Sequence, residues 1–254
     1  MSQEGCSSAP QRDRNLATDL RVRANNLALS GNLSLSATLL EAAHGLLGIS
    51  GGYQNDAGLW VHNADGVLAF LSDDPIGAEG AFRKALLVAS QLFGSHSVAA
   101  AALQTNIAEA LVLQSRYDEA EPLFIAAIAT LEAIRPTIAN LESNRPTIAI
   151  DEQHTGNLVR LNGLLTSATA EFGKMKAARA AAALALQAKK GAQWLTDNRA
   201  TLPADEWVAA NADGIVAHGP NCDVLAEEMK AKGINLAGIS IAFNEAPMIR
   251  QRQA

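Results

Sequence analysis

A 42-residue period runs through the first half of this chain and constrains its fold more than any single residue does. Superposing Ser36 on Ala78 and Ala120 brings other columns into register: Ala43, Ala85 and Ala127; Leu40, Phe82 and Phe124; His44, Leu86 and Ile128. In the preceding helical stretch of each unit, Ala24, Gly66 and Ala108 coincide as well. A small residue at a fixed place in both halves of a unit lets two helices approach closely, and the large apolar column fills the groove between them. Units that bury one face against the next build a single continuous core, so the period predicts a stack of helix pairs. Composition agrees. Of 254 residues 48% are apolar but only 4% aromatic, which suits alanine-packed helices better than sheets of β-branched and aromatic strands.

Residues 1–14 open on a polar stretch without periodicity and are expected to form a disordered tail. The array is expected over residues 15–195. Its first pair begins near Asn15, breaks at Ser30-Gly31-Asn32 and resumes over Ser34–Leu47. The second runs from Ala57 to Leu71, turns at Ser72-Asp73-Asp74-Pro75 and continues to Phe93, the aspartate and proline serving as cap and first turn. The third opens after Gly94-Ser95-His96-Ser97, turns at Ser115-Arg116 and resumes from Tyr117 to Ile134. There Arg135-Pro136-Thr137-Ile138-Ala139 recurs as Arg145-Pro146-Thr147-Ile148-Ala149. Proline breaks a helix interior, so residues 135–150 are expected to be an insert acting as a hinge or spacer. A fourth pair follows, with Leu158, Leu161, Leu164 and Leu165 on one helix, a turn at Phe172-Gly173-Lys174, and Ala177–Leu195 on the next, Ala178 and Ala185 taking the small columns.

Residues 196–254 differ in character. Leu202–Trp207 resembles a helix start, Asp223–Lys232 a short amphipathic helix ended by Gly233, and Ile234–Phe243 alternates like a strand. An open stack must cover its last apolar face, so this segment is expected to be a terminal cap, with a separate α/β module as the alternative. Gly214–Pro220 has the look of a strand and loop but lacks the glycine spacing that cradles phosphates.

The stretch Phe93–Glu132 contains Gly94, His96, Val98-Ala99, Asn106-Ile107-Ala108 and Tyr117-Asp118-Glu119-Ala120-Glu121. With these it resembles the tetratricopeptide repeats of the kinesin light chain type, which share the 42-residue period. The likeness is strongest in the third unit and extends over about half of the chain. Ser97 stands where the family usually has proline, Pro75 replaces the aromatic after the turn, and Gly66 replaces an alanine. The expected architecture is therefore all-α: a right-handed solenoid of about four helix-turn-helix, TPR-like pairs with an atypical C-terminal cap.

A net charge of −6 provides no positive field to gather phosphates, and nucleic acid is not an expected partner. The first residues lack a secretory h-region and no apolar run spans a bilayer, so a cytoplasmic protein with no membrane partner is expected. Cys6 and Cys222 make neither a disulfide framework nor a metal knuckle. Glu41-x-x-His44 and Asp151-x-x-His154 have the spacing of di-iron carboxylate bundles, but two further inward carboxylates are missing, and a hydrogen-bonded core histidine accounts for His44. Cys222 and His218 form the only close thiol and imidazole pair, without a group to orient the base. No metal site, cofactor or catalytic residue is expected.

What remains is recognition. The first helix of each pair lines the concave side of such a stack, where it can take an extended peptide or a partner helix. By register these positions are Arg21 and Asn25; Trp60, Asn63, Val67 and Phe70; Thr105, Asn106, Glu109 and Val112; and Arg160 with Asn162 or Gly163. Asparagine amides both donate to and accept from a peptide backbone, and in related repeats they hold the bound peptide, which is what the resemblance implies for Asn106 and Asn63. Trp60 is a natural interface anchor. The partner-binding candidates are thus Trp60, Asn63, Phe70, Thr105, Asn106, Glu109 and Arg160. The expected function is a non-enzymatic adaptor that binds a protein or peptide in this groove, with self-association through the open ends also conceivable. The alternative is an enzyme or metal-binding protein that uses the C-terminal segment or inter-helix His and carboxylate groups, with the repeats as scaffold.

Overall fold

A computed structural model describes residues 9–49, 52–143 and 152–245. The chain divides into two compact units, Met1–Met175 and Lys176–Ala254. In the first, α1 (Ala9–Leu29) pairs with α2 (Leu33–Ile49), α3 (Asp56–Leu71) with α4 (Pro75–Phe93), and α5 (Val98–Leu113) with α6 (Tyr117–Ser143). Helix α7 (Glu152–Asp197) contributes its residues up to Met175 to this unit and the rest to the second. No described helix is long and apolar enough to cross a membrane.

The period is written into the backbone. Gly31, Asp73 and Ser115 all adopt left-handed conformations, with φ of 85°, 59° and 60°, and each ends the first helix of its pair 42 residues after the last. The starts recur equally, α3 and α5 at Asp56 and Val98, α4 and α6 at Pro75 and Tyr117. Side-chain caps fix several of them: Asn55, Asp74 and Ser97 accept from the backbone N–H of Gly58, Gly77 and Ala100. Ser97 thereby performs with a side chain what proline would do with its fixed φ. Both small columns are buried, as are Leu40, Phe82 and Phe124 between them. Ser36, the polar member of its column, donates its hydroxyl to the Ala24 carbonyl at 2.9 Å, tying α2 to α1. The glycine at position 66 has a steric reason: a Cβ there would stand 2.4 Å from two ring carbons of Phe82.

Three expectations for this unit are corrected. Helix α1 begins at Ala9, so residues 9–14 are helical rather than tail, with Pro10 in the first turn where its missing N–H costs nothing. Helix α6 continues through Pro136 to Ser143 instead of breaking there. Glu132 and Pro136 face solvent, so the carbonyl that loses its helical donor can take water in its place. The second copy of the pentapeptide lies outside the described residues. The expected turn at Phe172-Gly173-Lys174 is likewise absent, and α7 passes through it as one 46-residue helix. Phe172 packs on Phe124 at a ring separation of 5.8 Å and Met175 is fully buried, so the apolar stripe crosses Gly173 and outweighs its roughly 1 kcal/mol helix penalty. Among the described residues three helix pairs followed by the long helix α7 thus make up the expected TPR-like helical stack, with Ala185 exposed rather than in a small column.

The second unit is not all-α. Strands β1 (Glu206–Asn211), β2 (Gly214–Gly219) and β3 (Ser240–Asn244) form an antiparallel sheet in the order β2-β1-β3, with α8 (Cys222–Ala231) between the last two in sequence. The expected helix start at Leu202–Trp207 instead leads into the central strand, because alternation decides it: Val208 and Ala210 face Leu195 and Leu202, while Ala209 faces Ala217, Leu225 and Met229 beneath α8. Sequence periodicity places α8 within one residue at each end, and the expected strand over Ile234–Phe243 shortens to β3. The segment expected as a cap thus contains a small sheet with a core of its own.

Candidate functional site

Three seams between first helices carry the candidate residues. At the first, α1 meets α3 around a pocket of about 600 Å³ lined by Arg14, Thr18, Arg21, Asn55 and Trp60 among others. Trp60 is 37% exposed, its indole forming a wall of the pocket. At the second seam, Asn106 on α5 donates its side-chain amide to Asn63 Oδ1 on α3 at 3.3 Å. The two amides thus meet each other and still leave an Asn63 N–H pair and the Asn106 carbonyl for a backbone laid across them. At the third, Glu109 on α5 lies near Glu171 and Lys174 on α7, which are joined by a 2.6 Å ion pair. Burial, then the Glu171 charge, push the Glu109 carboxyl up to about 7, against the pull of Lys174.

The remaining candidates are placed differently. Thr105 is only 7% exposed, and its hydroxyl donates to the Ala101 carbonyl of its own helix. Phe70 is half-buried, packed against the core that holds Phe82 and Phe124. Arg160 is exposed on α7.

Two polar clusters escape sequence reasoning. His44 pairs not with Glu41, which is exposed, but with Asp65, at 2.8 Å from Nε2, while its Nδ1 lies 3.0 Å from the Tyr53 hydroxyl. His62 stacks on Tyr53 and approaches the same carboxylate at 3.6 Å. Burial acts to raise the Asp65 pKa, but hydrogen bonds from the two imidazoles hold it below the ordinary range. The signal available in sequence was His62-x-x-Asp65, a one-face spacing on α3. The second cluster centres on Glu79, 9% exposed, which accepts from Arg83, Gln114 and Arg116 and pins the α5–α6 turn to α4. Among the described residues no group of three His, Cys, Asp or Glu is arranged to hold a metal ion. His218 engages Glu206 and Glu228, not Cys222, and the Asp151–His154 pair lies outside the described side chains.

Residues 60–133 match the tetratricopeptide repeat family, a stretch that begins in α3 and ends in α6, spanning the second and third helix pairs. Residues 60–133 carry tetratricopeptide repeats. Repeats of this family are in general protein-interaction modules. Among solved structures the chain is similar to BtubC (BKLC) from P. vanneervenii, at 20% identity over 70% of this chain and 68% of that one, with a TM-score of 0.45. No curated protein matches it.

Proposed function

We propose that this protein is a non-enzymatic adaptor whose inner repeat helices hold an extended peptide from a partner protein. The observation that carries the reading is the Asn63–Asn106 pair: two half-buried amides from adjacent repeats, hydrogen-bonded to each other across the seam with a donor and an acceptor still open. A peptide backbone offers the complementary acceptor and donor whatever its side chains, so such a pair anchors a strand without reading its sequence. Trp60 on one flank and Glu109 on the other supply apolar contact and charge, from which selectivity would come.

The test is affinity capture from the native cell with the wild-type chain and an Asn63→Ala/Asn106→Ala variant of unchanged helical content. Partners that bind the wild type should be lost or reduced at least about tenfold with the variant, since two hydrogen bonds are removed. An unchanged set of captured proteins at unchanged yield refutes the groove.

A further inference from the structure

We infer that the free edge of β3 is a dimerisation surface, on which a second copy of this chain lays its own β3 antiparallel about a twofold axis at Ala242. Every residue of that surface lies in the C-terminal unit, so it owes nothing to the repeat groove.

The sheet has two edges, and side chains guard one of them. On β2 the backbone N–H of His218 donates to the Glu228 carboxylate at 2.8 Å, and the Val216 carbonyl accepts from Lys232 Nζ at 3.1 Å. Glu228 and Lys232 also pair with each other at 2.6 Å, so the groups that another strand would need are occupied. Strand β3 has no such cover. Among the described residues no side chain bonds to its backbone, its ladder with β1 runs without a bulge, and Ser240–Asn244 contains neither charge nor proline. An uncharged, regular edge of this kind pairs readily with another chain. Beside it a cavity of about 370 Å³ is walled by all five residues of β3 and by Ala192, Leu195 and Thr196 of α7 among others. On the opposite face α8 covers Ala209 and Ala217 but leaves Ile241 and Phe243 of β3 45% and 42% exposed.

A copy of β3 complements both faces, and the twofold fixes its register. Full overlap of the five residues sets Ser240 opposite Asn244 and Ile241 opposite Phe243, so each exposed apolar side chain gains a large apolar cross-strand neighbour. Phe243 already packs on Trp207 at a ring separation of 5.5 Å, and the row extends to Ile241 of the second copy. On the other face α7 lies over β1 and β3, with Gly191 against the Ala210 carbonyl and the Ser240 hydroxyl bonded to the Ala188 carbonyl. A strand spacing of ~4.8 Å then puts the two α7 segments about 10 Å apart, within reach of ordinary helix packing. Ala185, Ala192 and Thr196, on the α7 stripe that meets there, are small.

Charge is complementary as well. Residue 245 falls opposite residue 239 of the second copy, next to the Ser240 that bonds to α7. Glu245, which shares a cavity with Arg199 of its own chain, thus comes near Lys189 of the other copy. Among the described residues none of these three makes an ion pair. The carboxylate stands between the two cations and offsets their repulsion.

The test is sedimentation velocity on the full chain over a dilution series, with two double variants at the exposed face. Wild type should approach twice the 26.6 kDa of one chain. Ile241→Lys/Phe243→Lys sets lysine against lysine at both cross-strand pairs and should weaken association by at least about tenfold. Ile241→Lys/Phe243→Glu sets opposite charges at the same two pairs and should restore the dimer, which only this register predicts. Both variants replace half-exposed side chains, and their far-UV circular dichroism should be unchanged. Amide exchange at Ser240–Asn244 of the wild type should slow as concentration rises, a readout that needs no variant. A wild type that stays at 26.6 kDa at every concentration overturns the inference. So does a double-lysine variant that still dimerises, a lysine and glutamate variant that does not, or a mass that grows past two chains, as association through open array ends would give. Loss of a captured foreign protein from the double-lysine variant, with the wild type monomeric, assigns the edge to another protein's strand and likewise overturns it.

Discussion

Replacing Glu109 with glutamine should remove a pH dependence that this one carboxyl imposes on the repeats. Its pKa rises from an ordinary 4.5 to about 7, because burial and the neighbouring Glu171 disfavour the anion more than Lys174 favours it. Between those values the folded chain holds a proton that the unfolded chain has released, so stability falls as pH rises through this window and is complete only below it. The full shift would correspond to about 3 kcal/mol at 1.36 kcal/mol per unit, and partial solvent screening of this half-buried group reduces that to about 1–2 kcal/mol. Glutamine keeps the size and hydrogen-bonding capacity without the charge. Urea unfolding followed by far-UV circular dichroism should therefore show Glu109→Gln more stable than wild type by about 1–2 kcal/mol near pH 8 and indistinguishable from it near pH 4. Comparing the two proteins at each pH cancels the other carboxylates, including Glu79, whose lowered pKa gives the opposite slope below the ordinary carboxylate range. A difference that does not change with pH, or a variant less stable at pH 8, refutes the account.

Gly66→Ala should destabilise the second repeat by about 1–2 kcal/mol, as overpacking against the buried Phe82 ring exceeds the ~1 kcal/mol gained in helix propensity; a raised melting temperature would contradict this. At the recurring turn, Gly31→Ala places a Cβ at φ 85° and should lose about 1 kcal/mol, whereas Asp73→Gly, at φ 59°, should lose little or gain a few tenths. Thermal melts of the two variants that move in the reverse order refute the assignment of these positions as equivalent.

The repeat was legible because its determinants are local and periodic. Small and large columns, the turn residues and the caps all recur at a fixed interval, the columns reporting on contacts between helices and the turns and caps on where each helix ends. Legibility ends where a tertiary contact reverses a local preference. Gly173 and Pro136 both argue for a break, yet Phe172 and Met175 bury their side chains across the first, and the solvent-facing backbone tolerates the second. In the C-terminal unit, Ala209 and Ala210 read as helix formers, and only the cross-strand pairing of β1 with both neighbours makes them strand. The groove residues were half legible for a similar reason. Register alone puts both Thr105 and Asn106 on the candidate face, but the Asn106 amide is the one that reaches Asn63, while the Thr105 hydroxyl bonds within its own helix.

The first helices expose how such an array separates stability from selectivity. Within this one chain the packing columns hardly vary: Ala24, Gly66 and Ala108 stay small, Ala43, Ala85 and Ala127 are identical, and Leu40, Phe82 and Phe124 stay large. The columns on the first helices vary in every property that a ligand could read. Thr18, Trp60 and Ala102 are equivalent, as are Arg21, Asn63 and Thr105, and Asn25, Val67 and Glu109. Packing tolerates only residues that preserve the helix spacing, because a methylene too many at a close approach cannot be accommodated. The seam positions carry no such constraint and can take a guanidinium, an amide or a carboxyl on the same backbone. On the described first helices the seams accordingly carry the arginines of α1, the amide pair of α3 and α5, and the half-buried Glu109 carboxyl of α5.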